Sequence, residues 1–325
     1  MEASAYMKRH WPWIVVLSFL ISLPFFSSEY VMVVAMQIFI WGVFAISYDL
    51  LIGYSGIVSF GHAVFFGIGA YTSALLMLKA DLSFWASLPV IIIVCGLLGL
   101  MIGLLTLRFS DIYFTMITLA IGQFFYFIVI KTYKFSGGDD GLHGLPMILP
   151  EKIHLYFLAL AFLLLIYLFS RRLIGSPLGA TLVAMRENEF RAKMIGYNIL
   201  TYKLIVLVIS GIMAGLAGAM DAAILRSVFP GFMHADTTLN VILMTIIGGM
   251  GSLIGPVLGA ALVTVGQQYL SSYFESWLLI FGVVFVLIVL FLPKGIVGVR
   301  SVLALKAPVG GDSSRSEAKS GVPPR

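Results

Sequence analysis

Long uninterrupted apolar runs, such as "LYFLALAFLLLIYLF" from Leu155 and "LIVLVISGIMAGLAGAM" from Leu204, constrain this chain more than any motif in it. Inside lipid a backbone has no water to bond, so each crossing segment must satisfy its own amides, which takes roughly 20 apolar residues of helix. The runs lack the alternation of barrel strands, which excludes a closed β-barrel. Charged residues make up 11% of the chain, against about 25% in a soluble domain. The expected fold is an all-α polytopic membrane protein with about 8 to 10 transmembrane helices, two of its segments broken by glycine or re-entrant.

Spans are expected near Trp13 to Phe26, Val31 to Ile46, Ile57 to Leu78, Phe84 to Leu107, Ile112 to Ile130, Leu155 to Phe169, Leu204 to Leu225 and Trp277 to Leu292. The first follows Lys8 and Arg9 like a signal peptide, but "PFFSSE" offers no small-residue cleavage site, so an uncleaved span is expected. The stretch from Asp236 to Gln268 sets the parity. If it crosses once, the C-terminal bases Lys294, Arg300, Lys306, Arg315, Lys319 and Arg325 land opposite Lys8 and Arg9, and the cations divide almost evenly between the faces. If it enters and leaves on one face, most cations gather on the side of the termini, which the positive-inside rule favours and which makes both termini cytoplasmic. Residues 1–306 then form one transmembrane domain, and the small, polar tail 307–325 is expected to be disordered.

Within this greasy chain, "GSPLGATLVAMRENEFRAKMIGYN" (Gly175 to Asn198) has the punctuation of a soluble fold. Ser176 can cap, Pro177 suits a first helical position, and Gly196 suits the left-handed residue after a helix. Leu178, Leu182 and Met185 share one stripe, while Val183, Phe190 and Met194 share another, so a break is required. Asn188 is the expected cap of the second helix, with Glu189 in its first turn and Lys193 in its last. Two short helices, Pro177 to Glu187 and Glu189 to Ile195, are therefore expected within a loop spanning 171–203. One reading lays them on anionic headgroups through Arg171, Arg172, Arg186, Arg191, Lys193 and Lys203. The mixture of Glu187 and Glu189 with those bases favours docking into a protein groove instead.

Two other stretches concentrate helix breakers with polar side chains: "GYSGIVSFGHAVFFGIGAY" from Gly53, and "GGMGSLIGPVLGA" from Gly248. Close helix packing accounts for Gly67 and Gly69. Paired interruptions in the two halves of a chain are the mark of an internal repeat with a translocation path at the junction. Gly56, Ser59, Gly61 and His62, with Gly249, Gly251, Ser252 and Pro256, are the candidate path residues. Helix N-termini exposed there would present a partial positive charge to a carboxylate. His62 is read first as a hydrogen-bonded packing residue, and Asp221 as a buried acid near an interface where Arg226 could snorkel beside it.

No phosphate-binding GxxxxGK[ST] occurs, and His10, His62, His143, His154 and His234 show no metal-ligand spacing. Neither catalysis nor ATP hydrolysis is expected in this chain. "YKFSGGDDGLHGLP" from Tyr133 reads as a structured turn without the spacing of a calcium loop. Intramembrane acids and bases are too few for an ion-driven pump, which leaves energy arriving from outside; a self-sufficient channel or ion-coupled carrier is the rival reading.

Taken together, "GYSGIVSFGHAVFFGIGAYTSALL", "FSGGDDGL", "GSPLGATLVAMRENEFRAKMIGYN", "IIGGMGSLIGPVLGAAL" and "FLPKGIVG" resemble the permease subunits of branched-chain amino acid ABC importers, of the LivM type. The resemblance runs in family order over nearly all of Met32 to Gly298. It implies a second homologous permease, two cytoplasmic ATPase subunits holding ATP and Mg, a periplasmic or extracellular substrate-binding protein, a bilayer and no nucleic acid. It implies no cofactor in this chain. The coupling contacts it implies are Arg186, Glu187, Asn188, Glu189, Phe190, Arg191, Ala192 and Gly196. ABC importers more generally have Glu-Ala-Ala, three residues, then Gly at this place; here "EFRAKMIG" keeps Ala192 and Gly196 without the double alanine. Close relatives resemble importers of urea and amides, so the cargo stays open at this point.

Overall fold

The computed structural model describes residues 18–273 and, beyond them, Leu279, Gly282, Val283, Val286, Gly295 and Ile296. Most of the expected last span and all of the polar tail lie outside the described residues. Helix α1 covers 18–26. Then follow α2 (Glu29–Asp49), which runs on as a π-helical turn Leu50–Ser55, α3 (Ala63–Lys79), α4 (Phe84–Thr106), α5 (Asp111–Lys131), the single turn α6 (Tyr133–Ser136) and α7 (Lys152–Ile174). The second half holds α8 (Pro177–Glu187), α9 (Glu189–Met194), α10 (Ile199–Leu225), a 3-10 turn Pro230–Met233, α11 (Ala235–Gly248) and α12 (Ile254–Tyr273). Two-residue strands β1 (Leu142–His143) and β2 (Ser227–Val228) pair antiparallel.

Among the described residues five helices are long and apolar enough to cross a bilayer: Glu29–Ser55, Phe84–Thr106, Asp111–Lys131, Lys152–Ile174 and Ile199–Leu225. Polar contacts fix their alternation. Lys203 at the start of α10 faces Asp111 at the start of α5 and Glu189 of α9, so these lie at one end of the bundle, the α8 end. At the opposite end Lys152 of α7 pairs with Glu29 of α2, and Lys79 at the close of α3 donates to the carbonyls of Lys134 and Phe135. The β1–β2 pair also sits there, where the left-handed Gly137, Gly138, Gly141 and Gly144 fold the expected turn.

The core is centred on α10, which packs against α2, α3 and α4. Small residues bring its backbone close to α3: a Cβ on Gly69 would stand 1.9 Å from the Gly215 carbonyl oxygen, and one on Gly218 would stand 1.9 Å from that of Phe66. In lipid, where helices gain nothing by hiding apolar surface from each other, such close approach supplies the dispersion contacts that hold them together.

Two helices do not begin at an end of the bundle. The expected span from Ile57 is helical only from Ala63, and residues 57–62 climb into the interior as turns. The α3 N-terminus is held there by Thr238 of α11, whose Oγ1 accepts from the Ala63 amide at 3.0 Å. The next amides are taken by the carbonyls of Gly61 and His62. Helix α11 descends beside α2, Thr245 donating to the Val241 carbonyl and reaching that of Ala45, and turns at Gly249 to Leu253 into α12. Helix α12 then rises along α2 to bring Gln268 onto Gln37 and Tyr30. The stretch from Asp236 to Gln268 is thus a helical hairpin with its turn at the α8 end. Both its limbs reach toward the opposite end.

Candidate functional site

The polar segment folds as its punctuation predicts. Asn188 has extended backbone between α8 and α9, and its Oδ1 accepts from the Arg191 amide at 2.8 Å. Gly196 takes φ 101° after the helix. Ser176 differs: its hydroxyl donates back to the Leu173 carbonyl and caps nothing. Leu182 and Met185 are buried on the bundle, and Ala192 anchors α9. The other stripe faces outward, with Phe190 69%, Met194 68% and Ile195 71% exposed. Beside it Glu189, Phe190, Lys193, Tyr197 and Leu200 line a cleft of about 560 Å³.

Charges expected to form one rim fall into two groups. Lys203 is buried beneath α9 and pairs with Glu189, lying 3.8 Å from Asp111. Glu189 is therefore engaged within the chain and does not stand free as a rim acid. Arg186 stays exposed, but its guanidinium reaches back to donate through Nη1 to the Gly53 carbonyl. Glu187 and Arg191 stay exposed, with no ion pair among the described residues. What remains outward is an apolar crest flanked by Arg191 and Lys193.

The two glycine breaks, far apart in sequence, meet beside Arg186. The first opens at Gly56 (φ 76°) and the second at Gly249 and Gly251 (φ 113° and 77°), conformations that L side chains avoid. Asp49 joins them, its Oδ1 accepting from the Gly251 amide at 2.8 Å. Ser252 donates to the Gly249 carbonyl at 2.7 Å, and Pro256 is buried in the first turn of α12. Gly295, in the closing "PKGIVG", packs on Gly249: a Cβ there would be 2.4 Å from its Cα.

The other candidate path residues lie farther up. Gly61 abuts the Thr118 carbonyl of α5, and Ser59 is buried. His62 is fully buried, 3.0 Å from the Ser47 hydroxyl and stacked on Phe44. Ser47 already donates to the Phe44 carbonyl, which leaves it to accept from His62 Nε2, while the buried Nδ1 has no hydrogen-bond partner among the described residues. Asp221 is buried with Oδ1 unpartnered among the described residues. Arg226 does not snorkel beside it, since its Nε donates to the Leu145 carbonyl at 2.9 Å.

Asp49 is not among the residues that glycine punctuation picks out. Its signal was available: an acid inside a 27-residue apolar helix is costly in lipid and calls for a partner. Among the described residues no group of His, Cys, Asp and Glu could hold a metal ion. The arrangement offers an external apolar handle, a basic strut and two broken helices joined at one point, which suits transmission of movement.

Residues 30–291 match the family described as branched-chain amino acid transport system / permease component. The chain is 28% identical over 315 residues to the high-affinity branched-chain amino acid transport system permease protein LivM of Salmonella typhimurium, covering 87% of this chain and 74% of that one. It is 27% identical over 303 residues to the protein of the same description from Escherichia coli, covering 84% and 71%. A probable branched-chain amino acid transport permease protein LivH of Methanocaldococcus jannaschii is 25% identical over 273 residues, covering 75% and 84%. No solved structure matches the chain.

Proposed function

The chain belongs to the family of permease components of branched-chain amino acid transport systems, and from that premise we propose that it is one membrane-spanning subunit of an ABC importer for leucine, isoleucine and valine. A second, homologous permease completes the pore, two ATPase subunits dock from the cytoplasm, and a binding protein delivers cargo from the other face. Likeness to both LivM and LivH proteins supports a pair of related permeases. The α8 end is the cytoplasmic one in this reading, because Arg108, Arg171, Arg172, Arg186, Arg191, Lys193 and Lys203 gather there. Helix α3 and the α11–α12 hairpin then complete the crossings begun by the five long helices, both termini are cytoplasmic, and the host is a bacterial inner membrane.

The observation that carries the proposal is the crest of Phe190, Met194 and Ile195, exposed on a helix that Ala192, Lys203 and the Asn188 cap hold rigidly to the bundle. Apolar anchors on a short, fixed helix are what a groove on a partner grips. ATP binding draws the ATPases together, the crest moves with them, and the breaks at Gly56 and Gly249–Ser252 open and close the path. ATP hydrolysis belongs to the partners.

The test is uptake of labelled leucine into vesicles containing the whole assembly, with isoleucine, valine and urea as competitors. Uptake that needs ATP and the binding protein, and that isoleucine and valine suppress, is expected. Transport by this chain alone would refute the importer. Competition by urea and not by valine would move the cargo to amides.

A further inference from the structure

Two side chains tie the docking segment to both breaks. Arg186, next to last in α8, donates through Nη1 to the Gly53 carbonyl. Asp49, at the end of α2, accepts from the Gly251 amide at 2.8 Å. Gly53 is wedged between them: a Cβ on it would lie 2.0 Å from Asp49 Oδ1 and 2.5 Å from the Gly251 nitrogen. A Cβ on Gly251 would lie 3.3 Å from Arg186 Nη1. The guanidinium and the carboxylate therefore flank the same two glycines, yet they form no ion pair with each other among the described residues. Asp49 is wholly buried, and its Oδ2 has no hydrogen-bond partner among the described residues.

This is the weaker of two arrangements open to these groups. A guanidinium on a neutral carbonyl forgoes the charge-assisted fork that it forms with a carboxylate. A buried carboxylate with an idle oxygen bears a desolvation cost that a second donor would relieve. Arg186 is carried on α8, which the extended Asn188 joins to α9 and its crest.

We infer that Asp49 and Arg186 are positioning residues forming a two-state latch between the docking segment and the breaks. Displacement of α8 swings the guanidinium from the Gly53 carbonyl onto Asp49 Oδ2. The carboxylate, drawn to the cation, releases the Gly251 amide, and the α11–α12 turn parts from α2. The small residues at 53 and 251 are needed because any side chain would occupy the space through which the exchange passes. The latch rests on the importer reading and adds to it the place where movement of α8 becomes movement of the gate.

The experiment uses the assembled transporter with partner permease, ATPases and binding protein. Asp49→Asn keeps an oxygen for the Gly251 amide but removes the charge that draws the guanidinium; Arg186→Gln removes the fork. Asp49→Asn is expected to assemble and to hydrolyse ATP within about twofold of the parent, with uptake lowered about tenfold or more; Arg186→Gln is expected to lower uptake as far, and the double variant to be no worse than either alone. A cysteine in place of Met250, which is 40% exposed at the turn, supplies a second readout. Its labelling rate by a water-soluble maleimide should change between nucleotide-free and ATP-bound parent and stay constant in Asp49→Asn. Native Cys95 is buried. Uptake by Asp49→Asn within about twofold of the parent, or losses that multiply in the double variant, would overturn the latch. Failure of Asp49→Asn to assemble would equally overturn it, by making Asp49 a determinant of folding only. A parent assembly with no ATP-dependent uptake sinks the importer reading itself; a transporting parent beside an equally active Asp49→Asn sinks the latch alone.

Discussion

Replacing Phe190 by alanine isolates the docking crest from everything else the chain does. A phenylalanine side chain offers roughly 200 Å² of surface. At 69% exposure, about 140 Å² of that is free for a partner, worth a ceiling of about 3.5 kcal/mol at about 25 cal/mol per Å². Alanine retains part of that contact and a groove covers only part of a ring, so the expected loss is about 1.5 to 2 kcal/mol, or roughly 10- to 30-fold in affinity for the ATPase subunits. The permease itself should be unaffected, because little of Phe190 contributes to its core. The assay is retention of the ATPases by the detergent-solubilised permease pair over a titration, with the thermal midpoint of the pair measured alongside. Leu182→Ala is the counterpart: that side chain is fully buried, so it should lower the midpoint first. Unchanged affinity in Phe190→Ala at unchanged stability would show that the crest faces lipid or water, and the coupling role would fall.

Three further outcomes follow from the packing. Gly69→Ala places a methyl where the Gly215 carbonyl stands and should cost about 1–3 kcal/mol by forcing α3 off α10, while Gly266→Ala, with nothing within 4 Å, should leave the midpoint unchanged or raised; equal midpoints for the two would refute the glycine seam. Lys203→Met removes the cation beneath α9 while keeping its length, and should speed amide exchange across Glu189–Met194 several-fold; unchanged exchange would mean the cap and Ala192 suffice. Gly251→Ala puts an L side chain at φ 77° and against Arg186, so about 1–2 kcal/mol of strain should appear as lower stability and lower uptake, whereas a neutral effect would show that the turn relaxes freely.

How much was legible in the sequence depended on how far apart the interacting groups lie. The α8 and α9 boundaries follow from Pro177, Asn188 and Gly196 because capping and left-handed closure are decided within a few consecutive residues, and the structure departs from the expected end by one residue. Five of the eight expected spans were legible for the same reason: an apolar helix satisfies its own backbone wherever it sits. Asp49 was missed, because the expected span ends at Ile46 whereas the helix runs on to Ser55. Its partner was hidden too. Asp49 meets Gly251 across 202 residues and Arg186 meets Gly53 across 133, and such pairings depend on how each helix is rotated about its axis. Helices apolar on nearly every side leave no stripe to record that rotation. Arg186, Glu189 and Lys203 looked alike as members of a charged surface, and only the packed bundle buried Lys203, drew the Arg186 guanidinium onto Gly53 and left Phe190 outside. The sequence by itself marked which segments are apolar enough for a membrane and which one is polar, since both are questions of local solvation; the tertiary structure alone decided which side chains lock the segments together, since that is a question of shape.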